Sequence, residues 1–170
     1  MNKNLALALV LGGLVFTPAL LAQQAVTVPP LSAFPDLIGG LQNTPGCLGV
    51  ETARTATGKQ VIFAWFANKK AVMNWYYSDA HVAAMRLTGS APSSHPMAGV
   101  PDDDAPVLAV ASVTLATSPT DTTNPMALTQ IAIELYRPLP GGIAVGGRFA
   151  PTSMKVPGLV DLPLTPPAAK

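Results

Sequence analysis

The sequence predicts an α+β domain, and three observations carry that expectation. Two runs rich in β-branched and aromatic residues, Cys47 to Arg54 and Gln60 to Phe66, flank a Thr57-Gly58-Lys59 turn and read as a hairpin. Residues 68–87 place apolar side chains at helical spacing. Beyond a stretch rich in Pro, Ser and Gly, strand-like runs resume at Val107.

From the N-terminus, residues 1–22 pass from Lys3 through an uncharged apolar run to Thr17-Pro18-Ala19-Leu20-Leu21-Ala22, and 15 of these 22 residues are hydrophobic. That is the pattern of a cleaved signal peptide, with Gln23 as the expected mature N-terminus. Export to a periplasmic or extracellular location follows. An uncleaved anchor is the alternative, because Leu5 to Ala22 reach the lower limit for crossing a bilayer. Residues 23–33 read as an extended lead-in that Pro29-Pro30 stops. Phe34, Leu37, Ile38 and Leu41 then share one face of a short helix, weakened by Gly39-Gly40 and ended by Pro45-Gly46.

After the hairpin, Asn68 is a good N-cap for a long helix running to about Leu87 and closed by Thr88-Gly89. At about 100° per residue, Val72, Met73, Tyr76, Ala80, Ala83, Ala84 and Leu87 form a broad face toward the sheet. Trp75, Ser78, Val82 and Met85 form a second, narrower stripe, which an ordinary surface helix would make polar. A pocket wall or a subunit contact is therefore expected over it. Asn74 and His81 lie between the two stripes. Residues 88–106 read as a loop containing Asp102-Asp103-Asp104. Strands are expected at Val107 to Thr117, Leu128 to Arg137 and Ile143 to Phe149, the last after a Pro140-Gly141-Gly142 turn. Residues 161–170, with Pro163, Pro166 and Pro167, read as an irregular tail.

Composition narrows the function. Of 170 residues, 49% are hydrophobic and only 11% charged, and ten basic against nine acidic residues give a net charge of +1. No basic surface large enough for a nucleic acid is expected. Loss of Lys3 with the signal peptide balances the charges, so nothing draws the mature chain to an anionic membrane. So little charge implies that a partner subunit, a ligand or proline-rich wrapping covers part of the surface.

Six of the ten aromatic residues, Phe63, Trp65, Phe66, Trp75, Tyr76 and Tyr77, fall within 15 positions. They form a core, or some of them line an apolar cavity that stacks a flat ligand. Trp65, Trp75, Tyr77, Ser78, Val82 and Met85 are the candidate pocket residues. His81 is the candidate for acid–base work, with Tyr77 one turn away; a solvent-facing histidine is the plainer alternative. No metal site is expected, since His81 and His95 form no compact pair and three consecutive aspartates cannot all face one ion; a calcium loop is the residual alternative. The sequence carries no dinucleotide fingerprint or phosphate loop, so no cofactor is expected. Ser90, Ser93 and Ser94 lie near His95 without a nucleophile elbow. Cys47, the single cysteine, reads as a small buried hydrophobe, or else as one half of an intermolecular disulfide.

The order of three pieces carries a family resemblance: Thr44-Pro45-Gly46-Cys47-Leu48-Gly49, then Phe63-Ala64-Trp65 stepping into Asn68-Lys69-Lys70-Ala71, then Trp75-Tyr76-Tyr77-Ser78-Asp79-Ala80-His81. Over residues 34–87 the chain resembles the antibiotic biosynthesis monooxygenase family. The resemblance implies a ferredoxin-like antiparallel sheet with two helices on one face, paired as a dimeric α/β barrel, here with extra C-terminal strands and spanning residues 34–160. It departs from the family where a long first strand is shrunk to Ala25–Val28, a position that Leu128 to Arg137 would have to fill. Where the heme-degrading branch of the family has a ligating histidine, this chain has Met85, which disfavours that chemistry. Two functions remain: a non-catalytic homodimer binding a small apolar or aromatic molecule or a partner, and a cofactor-independent monooxygenase acting on a phenolic or quinol substrate with His81 as base.

Overall fold

The expected hairpin forms. The computed structural model describes residues 35–115 and 128–165. Outside them lie residues 1–22, expected to be a signal peptide, the lead-in with Ala25–Val28, Phe34, the last two residues of the strand expected to reach Thr117, and the end of the proline-rich tail. Strand β1 (Cys47–Arg54) runs antiparallel to β2 (Gln60–Phe66), β2 to β3 (Val107–Leu115), and β3 to β4 (Leu128–Tyr136), so the four-stranded sheet has the order β1-β2-β3-β4. The molecule is thus α+β. Helix α1 (Leu37–Gln42) precedes the sheet, and α2 (Lys69–Tyr76) and α3 (Asp79–Leu87) lie between β2 and β3. Residues Ile143–Val145 and Val160–Leu162 form β5 and β6, a separate parallel pair. The third C-terminal strand is therefore shorter than Ile143 to Phe149, and the tail boundary at residue 161 falls inside β6.

The single helix expected over residues 68–87 is two helices. Asn68 does cap the first, accepting a hydrogen bond from the Ala71 amide at 3.1 Å. At Ser78 the backbone turns extended, with ψ at 152°, and the Ser78 hydroxyl accepts from the His81 amide at 3.3 Å, opening α3 with Asp79 in its first turn. Serine competes with helical backbone bonding in a helix interior but suits an N-cap. Ser78 is therefore a cap and not part of an apolar stripe.

That break decides the topology. One uninterrupted helix of this length, rising about 1.5 Å per residue, would carry the chain to the far end of the sheet. Two short helices and the loop after Leu87 bring it back instead, so that Val107 starts opposite Phe66, where β2 ended. A split βαβ sheet interleaves strands that are not neighbours in the chain, whereas every described neighbour here is consecutive. Strand β4 accordingly joins the outer edge of β3 and does not replace an interior strand.

Strand alternation covers the sheet on both faces. Ile62, Ala64 and Phe66 face the helices, and with Leu41, Ala71, Val72, Met97 and Val107 they form the core. Phe66 is wholly buried. On the opposite face, Phe63 and Trp65 pack against Phe149 at centroid distances of 5.1 and 5.0 Å. The aromatic residues thus divide between two faces, because neighbours along a strand point to opposite sides. Pro151 also seats on that second face, over Gly49.

The three aspartates hold the loop after α3, each by a different partner. Asp102 pairs with Lys69 at 2.9 Å, Asp103 takes a two-pronged bond from Arg137 at 2.8 and 2.9 Å, and Asp104 accepts from Asn68 at 3.4 Å. The Arg137 guanidinium, followed by the Ala105 amide, lowers the Asp103 pKa below its ordinary value. Among the described residues no cluster of His, Cys, Asp and Glu is arranged to hold a metal ion, and no helix is long and apolar enough to cross a membrane.

Gly46, at the α1–β1 junction, has φ of +87°, and a Cβ there would lie 2.5 Å from the Ala71 Cβ. Gly89 has φ of +72° but nothing within 4 Å. Gly89→Ala should therefore cost only the left-handed backbone penalty, about 1–2 kcal/mol. Gly46→Ala should add a clash between α2 and the sheet, raising the loss to about 3–4 kcal/mol. Urea denaturation of both variants checks this, and equal losses would contradict the close approach of α2.

Candidate functional site

A cavity of about 340 Å³ lies between the helix-facing side of the sheet and the three helices. Its floor follows strand alternation: Ile62 and Ala64 on β2, Ala109, Ala111 and Val113 on β3, and Ile131, Ile133 and Leu135 on β4. The paired row Ile62, Ala111, Ile133 crosses the three strands, as does the row Ala64, Ala109, Leu135. Alanines at the centre of both rows leave the space that larger side chains would fill. The roof is Leu37 and Leu41 of α1, Trp75 and Tyr76 of α2, His81, Ala84 and Met85 of α3, and Pro96 and Met97 of the following loop. No Asp, Glu, Lys or Arg lines the cavity.

Close packing fixes the roof. A Cβ on Gly40 would stand 3.0 Å from both the Ala80 Cβ and the Trp75 ring, so this glycine, which weakens α1 as a helix, lets it press on α2 and α3. Tyr76 and Tyr77 hold the loop: the Tyr76 hydroxyl accepts from the Ser93 amide at 2.9 Å, and the Tyr77 hydroxyl donates to the Ser93 carbonyl at 2.9 Å.

Of the residues expected from sequence, Trp75, Met85 and His81 meet at this cavity, and four do not. Trp65 points to the other face of the sheet, stacked with Phe63 under Phe149. Tyr77 is 44% exposed, with its hydroxyl on the loop. Ser78 caps α3, and Val82 is half-buried away from the cavity. The helical phase expected for Ser78 and Val82 assumed a continuous helix, and the turn at Ser78 resets it. Missing from the sequence reading were Tyr76 as a wall residue, the Pro96-Met97 stretch and the β4 row. The alternation Ile131-x-Ile133-x-Leu135 announces an apolar face on β4, and the Ala109-x-Ala111 pair marks where that face is hollow.

His81 is 9% exposed and hence not the solvent-facing residue of the plainer alternative. Its ring lies 5.3 Å from that of Trp75 and 5.2 Å from that of Tyr76, centroid to centroid. Nδ1 is 2.8 Å from the Tyr76 carbonyl oxygen, one of the carbonyls left unpaired where α2 ends. A carbonyl only accepts, so Nδ1 carries the proton, and in the neutral ring Nε2 is an acceptor. Among the described residues nothing hydrogen-bonds to Nε2. Burial lowers the His81 pKa, and the bond to Tyr76 opposes that shift only in part. The positive end of α3, at whose first turn His81 sits, also disfavours an imidazolium. Chemically, the arrangement is a neutral imidazole of fixed tautomer in an apolar wall.

Cys47 lies outside the cavity wall, half-buried at the start of β1. Burial pushes its thiol pKa up, opposed only in part by a backbone hydrogen bond of Gly49, which keeps it a protonated and poor nucleophile at neutral pH.

Because the folded pKa of His81 is lowered, the unfolded chain binds a proton that the folded chain refuses, in the range from about pH 6.5 down to the folded value. The His81 contribution to stability is therefore complete above about pH 6.5 and is lost as pH falls through that range. Thermal midpoints should decline between pH 7.5 and 5, and His81→Phe should flatten that slope. The separate acid loss from Asp103, below about pH 3.9, should persist in the variant. Parallel slopes for the two proteins above pH 5 would contradict a buried neutral imidazole. Compared with known proteins, the chain matches no family model, no curated protein and no solved structure.

Proposed function

We propose that this chain is an exported binding protein whose cavity between the sheet and α1–α3 holds a small apolar or aromatic molecule. The cavity carries this reading. Its volume, about 340 Å³, stands at the lower end of the range for small-molecule sites, and its wall is apolar and uncharged with a few polar groups, as such sites are. Export rests on residues 1–22. Kinship with the antibiotic biosynthesis monooxygenases, and with it the ferredoxin-like, dimeric α/β-barrel arrangement, rests on the order of motifs in residues 34–87; the consecutive strand order weighs against that arrangement.

One observation favours a second reading, the cofactor-independent monooxygenase. His81 lines an uncharged cavity and keeps Nε2 as an acceptor unpaired among the described residues, which could take a proton from a bound phenol or quinol and leave an electron-rich anion for oxygen. A single set of samples tests both. N-phenyl-1-naphthylamine, a neutral fluorescent probe, should bind saturably, and Ala111→Phe, which fills the floor, should weaken binding more than about tenfold while unfolding stays cooperative. Unchanged binding in that variant removes the cavity reading. With 1,4-naphthohydroquinone, oxygen uptake above the uncatalysed rate that vanishes in His81→Phe would establish the enzyme, and uptake at the uncatalysed rate would reject it.

The homodimer belongs to the same proposal. Its support is the face of β5 and β6 carrying Ile143, Val145, Val160 and Leu162, all exposed, although parallel strands are ordinarily covered on both faces. Sedimentation equilibrium at micromolar concentration should give twice the chain mass, falling toward a single chain in Val145→Lys. A wild-type monomer would retire the dimer.

A further inference from the structure

The polarity of the cavity runs opposite to that of an ordinary cleft, where the mouth is wet and the far end apolar. Its polar acceptor, His81, is buried between Trp75 and Tyr76. Its open side is apolar: Ile131 and Ile133 on the edge strand β4 are 41% and 58% exposed, although they line the same space. The other two hydroxyls of the wall each already make at least one bond. Tyr76 accepts from the Ser93 amide, and Thr88 donates to the Met85 carbonyl at 2.8 Å.

We infer that the occupant enters head first: a neutral molecule with one hydroxyl at its end, which donates to His81 Nε2, and an apolar body that lies over Ala109 and Ala111 and leaves across Ile131 and Ile133. This rests on the cavity being a binding site. It goes further by fixing the chemistry of the occupant, its orientation and the residue that selects it. The donor is required because the Tyr76 carbonyl holds the Nδ1 proton, leaving Nε2 with a lone pair to offer and no proton to give. An occupant without a donor leaves that lone pair unpaired in an apolar wall, and a carboxylate meets the lone pair head-on with no cation beside it. The apolar rim sets the other end. A polar tail would have to cross Ile131 and Ile133, whereas an alkyl or aryl tail covers both.

Three probes of one shape test the inference: 4-hexylphenol, hexylbenzene and 4-hexylbenzoate, titrated against the whole protein at pH 7.5 by calorimetry. The phenol should bind about fivefold to tenfold more tightly than hexylbenzene, the value of one hydrogen bond, and the benzoate least. In His81→Phe, which keeps an aromatic ring but offers no lone pair, the phenol and hexylbenzene should become equal. Nitrogen-15 spectra of the wild type give a second readout that does not depend on the variant folding. His81 should show the tautomer protonated at Nδ1, and its Nε2 resonance should move with 4-hexylphenol and stay with hexylbenzene. Equal binding of phenol and hexylbenzene by the wild type, preference for the benzoate, or a His81 protonated at Nε2 would overturn selection by His81 while leaving an apolar binding site in place. Failure of all three probes to bind would overturn the binding site itself.

Discussion

The hydrogen bond from His81 Nδ1 to the Tyr76 carbonyl is the contact on which the rest of the site depends. It exists because the helix breaks. A continuous helix would have paired the Tyr76 carbonyl with an amide four residues on, and His81 would have faced wherever the helical phase put it. Once Ser78 opens a second helix, that carbonyl is an orphan and His81 stands in the first turn of α3, within reach of it. One bond then ends α2, fixes the imidazole tautomer and closes the buried end of the cavity. Trp75 and Tyr76 pack on the ring and exclude water from it, which keeps the ring neutral and raises the value of any hydrogen bond made to it.

Much of the scaffold is legible in the sequence because it follows local rules. The β1–β2 hairpin, the Asn68 cap and the strands at Val107 and Leu128 obey turn chemistry, capping preference and strand propensity, and each begins where those rules put it. The site was legible only in part. Trp75 and Met85 were read from an apolar excess on one helix, and they do reach the cavity. The break at Ser78 was written in the same stretch as a serine followed by an acidic first turn, but the flanking helical periodicity outweighed it. Trp65 shows a different limit. Proximity in sequence to other aromatic residues says nothing of which sheet face a strand residue takes, and period-two alternation sends Trp65 away from Ile62, Ala64 and Phe66.

The oily, weakly charged composition also finds its place. The covered surface expected around Trp75, Val82 and Met85 is in part the cavity wall. Among the described residues, apolar surface is left open at the β4 rim and on the small parallel pair, among other places. The aspartate triplet, which resembles an ion site on paper, spends its charge on Lys69, Arg137 and Asn68 and so pins the loop bearing Met97 over the core. Charge is scarce in this protein, and the Arg137–Asp103 pair uses it to tie the roof to the end of β4.

The pairing of Phe66 with Val107 has a consequence for how such a protein changes over time. Apart from α1, the whole roof is one uninterrupted insert, residues 67–106, that leaves the sheet and returns at the same end of adjoining strands. Its two ends are held by ladder hydrogen bonds that do not depend on what lies between. The roof apart from α1 is therefore contiguous in sequence as well as in space, although Ala71, Val72 and Met97 tie it into the core of the sheet. Changes confined to this stretch reshape Trp75, Tyr76, His81, Met85 and Met97 of the wall and leave the strand floor as it is.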